Sequence, residues 1–192
     1  MPVIKITEIK PSFNQSLKQS FRLINSSVCA TVYLPTGETF ALEKSLLSKI
    51  KFKIFNEQQV LIESRRSGWL PSRHHELWFG GAAYGRWRYI KSSIAGSSYE
   101  NQLLGFEVES SGGGQTYVVR KRDASANSIH DLVNTVYEVN AGVNQYLIKV
   151  RVSNAGGELN VKADFEVSVH PSVQVFTAAR LWLDHYSQLA LS

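Results

Sequence analysis

The sequence predicts a mainly β domain, a sandwich or barrel of roughly a dozen short strands that ends in one helix. Three observations carry this expectation. Hydrophobicity alternates with period two along most of the chain, as a strand with one buried face requires. Turn residues rich in Gly, Asn and Pro interrupt that alternation at short intervals. The C-terminal stretch then changes period and contains neither Gly nor Pro after Pro171.

Taken in order, VIKITEI opens the chain as an alternating strand. CATVY and TFALE follow, joined by the turn sequence LPTGE. In IKFKIF, the residues Ile50, Phe52 and Ile54 share one face while Lys51 and Lys53 share the other, and FNEQQ turns this segment into VLIES. ELWFG and RWRYI are two further strands, and SSGGGQ joins LLGFEVE to TYVVRK as a hairpin. After VNTVYEV, the segment NQYLIKVRV places Tyr146, Ile148, Val150 and Val152 on one face. SNAGGE then leads to NVKADFEVSV, where Val161, Ala163, Phe165, Val167 and Val169 point one way and Lys162, Asp164, Glu166 and Ser168 the other.

The helix is expected to begin at Pro171 and Ser172, with Pro tolerated at a helix entrance and Ser172 a fair N-cap. At ~100° per residue, Val175, Ala178, Ala179, Trp182, Leu183, Tyr186, Leu189 and Ala190 gather on one face. Gln174, Thr177, Arg180, Asp184, His185 and Gln188 gather on the opposite, polar face.

The 192 residues suit a single domain over 1–192, and 43% hydrophobic against 19% charged residues describes an ordered globular chain. No apolar run approaches the ~18–20 residues that span a bilayer. The N-terminus lacks the apolar core and cleavage site of a signal peptide. One cysteine, Cys29, cannot form an internal disulfide, which agrees with a reducing compartment. The expected location is therefore cytoplasmic, with peripheral attachment to a membrane as an extension. Net charge is +5, and the segment from Ser64 to Lys91 matches that excess with six cations against one carboxylate, Glu76.

Two stretches carry a resemblance to a known family. FEVSVHPSVQVFTAARLWLD, Phe165 to Asp184, resembles the last strand and C-terminal helix of the tubby C-terminal-like fold in its LURP-one-related branch, distant kin of the phospholipid scramblases. VLIESRRSGWLPSRHHELWFGG, Val60 to Gly81, is similar to that family's hairpin, in which a basic strand leads to a Trp-containing strand closed by Gly-Gly. The resemblance covers about a quarter of the chain and implies a closed antiparallel barrel of about twelve strands with the hydrophobic helix threaded through it. A helix inside a barrel is ordinarily apolar all round, and Arg180, Asp184 and His185 depart from that. If Arg180 lies inside, it requires a carboxylate or several carbonyls. The alternative geometry is a lipocalin-like barrel with the helix outside.

Signatures of catalysis are missing from the residues. Gly112, Gly113 and Gly114 lie between strands rather than at a helix entrance, so they read as turn material and not as a phosphate loop. His74, His75 and Glu76 read as a surface loop, because neighbours on a strand point to opposite faces and no third metal ligand stands nearby. Asp184 and His185 read as exposed on the polar face of the helix. Ser97 and Ser98 lack the strained nucleophile turn, and Cys29 reads as a buried apolar thiol. The expectation is no enzyme, no cofactor and no metal.

The segment from Ser64 to Lys91 admits three readings. In the first, Trp78, Phe79, Trp87 and Tyr89 are wall residues whose neighbouring arginines alternate outward into water. In the second, Arg65, Arg66, Arg73, Arg86, Arg88 and Lys91 form a positive patch for anionic phospholipid, with Lys51 and Lys53 adding to it and Trp69 entering the headgroup layer. Some tubby-like proteins bind phosphoinositides, which the resemblance extends to this chain. In the third, aromatics stack nucleic-acid bases, which the alternation disfavours by turning Trp87 and Tyr89 away from Arg86 and Arg88. The expected function is a non-catalytic binding or scaffold domain that attaches to acidic phospholipid and offers surfaces to protein partners. The competing expectation is a lipocalin-like carrier of a small apolar ligand, or an enzyme using such a cavity.

Overall fold

A computed structural model of the chain describes residues 2–10, 25–48, 50–67, 74–91, 103–111, 114–121, 134–155, 158–165 and 169–189. Among the described residues there are twelve strands: β1 (Val3–Glu8), β2 (Ser26–Tyr33), β3 (Thr39–Ser45), β4 (Phe52–Phe55), β5 (Val60–Arg66), β6 (His75–Phe79), β7 (Ala82–Lys91), β8 (Leu103–Ser110), β9 (Thr116–Lys121), β10 (Asn134–Ala141), β11 (Asn144–Ala155) and β12 (Glu158–Phe165). A helix, α1 (Pro171–Leu189), follows β12. Each strand pairs antiparallel with its sequence neighbours, and β1 pairs with β12 through Val3–Asp164 to Thr7–Asn160, so the sheet closes into a barrel.

The period-two pattern becomes the inside and outside of this wall. Ile4 and Ile6, Phe40 and Leu42, Phe52 and Ile54, Phe106 and Val108, and Leu159, Val161, Ala163 and Phe165 are all buried. The intervening Lys5, Lys51, Lys149, Arg151 and Lys162 are exposed. Gly80 and Gly81 hold positive φ in the two-residue turn between β6 and β7, as a tight hairpin with right-handed strand twist requires. Gly105 serves close approach instead: a Cβ there would collide with the backbone carbonyl of Val119 on β9.

The two ends of the barrel differ. At one end the connections are short, comprising 34–38, 56–59, 80–81, 111–115 and 142–143. At the other, the strand ends are separated in sequence by 9–25, 46–51, 67–74, 92–102, 122–133 and 156–157, most of these stretches having considerably more residues.

A barrel of about eight strands is filled by its own inward side chains, whereas twelve leave more room than they can occupy. Here every residue of α1 from Ser172 to Leu183 is buried, on both the apolar and the polar faces. Phe176 meets inward rings from three strands, with centroids 5.8 Å from Phe52, 5.3 Å from Trp87 and 5.6 Å from Phe106. On the far side of the helix, Trp182 donates its indole N–H to the carbonyl of Leu159 in β12 at 3.3 Å.

Three details correct the sequence reading. The residue that caps α1 is His170 and not Ser172: its carbonyl accepts from Val173 and Gln174, and its Nδ1 accepts from the Ser172 amide at 3.3 Å. Asp184 and His185 are not an exposed polar face, since His185 is buried and Asp184 half-buried. His75 and Glu76 are not loop residues but open β6, with His75 inside the wall. In the second and third cases tertiary packing covers groups whose local sequence looks solvated.

Candidate functional site

On the polar face of α1, Arg180 and Asp184 are engaged from within. Arg180 is 1% exposed and donates to Asp184 Oδ1 at 2.8 Å, one helical turn on. The same oxygen accepts from the Tyr89 hydroxyl at 3.0 Å. The guanidinium carbon lies 5.4 Å from the ring centroid of Tyr89, 5.7 Å from that of Trp87 and 5.9 Å from that of Phe52. A charge-assisted bond and three aromatic faces thus offset the loss of water around a buried cation. The carboxylate that Arg180 requires comes from its own helix, and burial drives the Tyr89 hydroxyl pKa well above the ordinary phenol value.

Above this network, the starts of β2, β4 and β6 and the ends of β3 and β5 surround an open cleft of about 990 Å³. It lies at the end of the barrel with the longer connections. Lys44, Lys51, Lys53, Arg65, Arg66, Ser64, Phe52 and His75 line it, with Glu43 and Glu63 on its sides. The floor is held by side-chain bonds: Trp87 donates its indole N–H to Ser64 Oγ at 2.9 Å, and Ser64 donates to the Ile50 carbonyl at 2.8 Å. His75 packs edge-on against Trp87, with centroids 5.0 Å apart.

The cations of the cleft differ in their partners. Arg65 pairs with Glu63 at 2.6 Å and covers the Trp78 ring at 4.4 Å, while Lys53 approaches Glu43 at 3.9 Å. Glu43 also accepts from the Ser26 hydroxyl. Lys44, Lys51 and Arg66 have no carboxylate at ion-pair distance among the described residues. Lys44 instead lies 3.8 Å from the ring centroid of Tyr186, and burial depresses its pKa below the usual lysine value. His75 is likewise depressed, first by burial and then by the nearby charges of Arg66, His74 and Arg180. Leu47 stands beside the cleft with 72% of its surface in water.

The sequence-derived lipid patch is therefore divided. Arg86 pairs with Glu109 at 2.7 Å and Arg88 with Glu107 at 2.7 Å, both carboxylates arriving from β8 across the β7–β8 ladder. Trp69 and Arg73 lie outside the described residues, as does the side chain of Lys91, whose backbone ends β7. Arg65 and Arg66 reach the cleft, joined there by Lys51 and Lys53. Lys44, His75 and Leu47 belong to the same site and were missed. Lys44 lies well before the Arg-rich segment, and only the pairing of β3 with β4 and of β5 with β6 brings Lys44 and His75 to one rim.

Trp87 is buried and Tyr89 turns inward to Asp184, while Arg86 is exposed, so the alternation expected for β7 holds. Cys29 is a buried thiol whose hydrogen points to the Leu42 carbonyl at 3.4 Å, and burial pushes its pKa up to about 12. No three His, Cys, Asp or Glu side chains cluster to hold a metal among the described residues. No helix of the described residues is long and apolar enough to cross a membrane. Compared with family models, with curated proteins and with solved structures, the chain matches none of them.

Proposed function

We propose that this chain is a non-catalytic binding domain of the tubby-like, LURP-one-related kind, working in the cytoplasm and attaching to phosphoinositide-containing membrane at the cleft end of its barrel. The observation that carries this reading is the convergence of Lys44, Lys51 and Arg66, none with a carboxylate partner among the described residues, on one open cleft. Each cation close to an anionic membrane contributes about 1 kcal/mol, so three together favour attachment by roughly two orders of magnitude. Leu47, exposed on the same rim, is placed to enter the interfacial layer. The twelve-strand barrel and its single C-terminal helix agree with the architecture that the resemblance implies. We take the helix to fill the lumen, because its all-round burial and its contacts with β4, β7, β8 and β12 leave little place for a ligand chamber.

Vesicle co-sedimentation tests the reading. The protein is expected to pellet with phosphoinositide-containing vesicles and to stay in the supernatant with neutral ones. Equal pelleting with both would end the proposal.

A further inference from the structure

His75 is a cleft residue whose chemistry the charge argument does not use. It begins β6 directly opposite Arg66 on β5, so its ring and that guanidinium belong to neighbouring strands at the same rim. The side chain is 6% exposed and lines the cleft. Its Nδ1 is shielded from water and has no hydrogen-bond partner among the described residues. A shielded nitrogen without an acceptor is better left as a bare lone pair than as an N–H, since an orphaned donor incurs the full desolvation cost. The proton of the neutral ring then resides on Nε2, the nitrogen left to face the cleft.

Burial first, and the surrounding charges after it, disfavour the imidazolium form. Arg66 faces it from β5, His74 immediately precedes it in the chain, the charge of Arg180 acts on it from α1, and β7 presents the ring of Trp87. The nearest helical carboxylate, Asp184, is engaged by Arg180 and Tyr89.

Resting on the membrane reading above, we propose that the cleft seats one phosphate group of an inositol phosphate headgroup, with Lys44, Lys51 and Arg66 supplying charge and His75 supplying an uncharged, directional Nε2–H donor. A neutral donor beside three cations distinguishes this site from a purely electrostatic surface. It fixes the orientation of a phosphate oxygen and keeps its hydrogen bond when the pH rises past the ordinary histidine range. A site using imidazolium would lose affinity there.

The probe is soluble inositol 1,4,5-trisphosphate added to the full chain. Ring ¹⁵N spectra are expected to show His75 protonated at Nε2 before and after addition, with its signals moving on binding. Calorimetry is expected to give an affinity that holds between pH 7 and 8.5. His75→Leu is expected to weaken binding about tenfold, the usual worth of a hydrogen bond to a charged group, and His75→Gln, which keeps an N–H, to restore most of it. Arg66→Ala, at an exposed position, is expected to lose about tenfold as well, and it serves where a change at His75 disturbs folding. The proposal is overturned by a ring protonated at Nδ1, by affinity that falls in step with His75 deprotonation, or by shifts that map to β7 and β8 instead. Inorganic phosphate competing as well as the trisphosphate would assign the seat to free phosphate and also overturn it. Vesicle attachment without trisphosphate binding leaves the membrane reading standing and removes this one. Trisphosphate binding without vesicle attachment supports the seat and removes the membrane reading.

Discussion

The outer wall at β7 and β8 and the cleft beside β3 to β6 both carry basic side chains, yet they have opposite electrostatic fates. On the wall, Arg86 and Arg88 each face a glutamate directly across the ladder, at Glu109 and Glu107. In the cleft, Lys44, Lys51 and Arg66 meet serine, aromatic and imidazole groups, while Glu43 and Glu63 are engaged by Lys53 and Arg65. Counting cations along a sequence treats these regions alike. Only the cross-strand register decides which positive charge is left for a partner.

Four experiments break or sharpen this contrast. The largest effect is expected beneath the cleft, at Asp184→Ala, which removes the carboxylate from the buried Arg180 and releases the Tyr89 hydroxyl. Leaving a buried charge without its partner costs about 3–5 kcal/mol, read from the denaturant midpoint. A loss close to zero would mean that the guanidinium reaches water. Next, Lys51→Ala with Arg66→Ala is expected to lower phosphoinositide-vesicle binding about thirtyfold while leaving the unfolding midpoint in place, because both positions are exposed.

A smaller effect concerns acid. The folded-state pKa of His75 is depressed by burial, and further by Arg66, His74 and Arg180. The unfolded chain therefore takes up a proton at this residue before the native one does. Stability contributed here is complete above the unfolded histidine value of about 6.5 and declines as pH falls below it. Unfolding curves of the parent and of His75→Gln are expected to run parallel above that pH and converge below it. The smallest effect is expected on the wall: Arg86→Ala and Arg88→Ala are expected to change neither vesicle binding nor the unfolding midpoint measurably, as exposed ion pairs contribute little. A large loss of vesicle binding in these variants would reverse the comparison.

Much of the fold was legible in the residues. Alternation in VIKITE, FKIF and ELNVKADF marks inside and outside correctly, and the turn residues mark the hairpins. Closure was not legible from periodicity, because the pairing of β1 with β12 joins segments from opposite ends of the chain. The helix shows why local polarity misleads. Arg180, Asp184 and His185 resemble a solvated face, yet an ion pair, a tyrosine hydroxyl and three aromatic rings make an apolar surrounding tolerable for Arg180. For the site, Arg65 and Arg66 were found by composition. Lys44 and His75 were not, since neither carries a local signal and both depend on which strand ends meet.

The seam between β1 and β12 also sets an order of events during synthesis. The first strand leaves the ribosome with one edge unpaired, and that edge stays open until the twelfth has emerged. Throughout translation the nascent sheet therefore presents two bare rims of amide and carbonyl groups that invite pairing with other chains. Lys5 and Lys162 face each other across that joint, and exposed lysines on an open strand edge are the kind of residue that disfavours pairing with another chain.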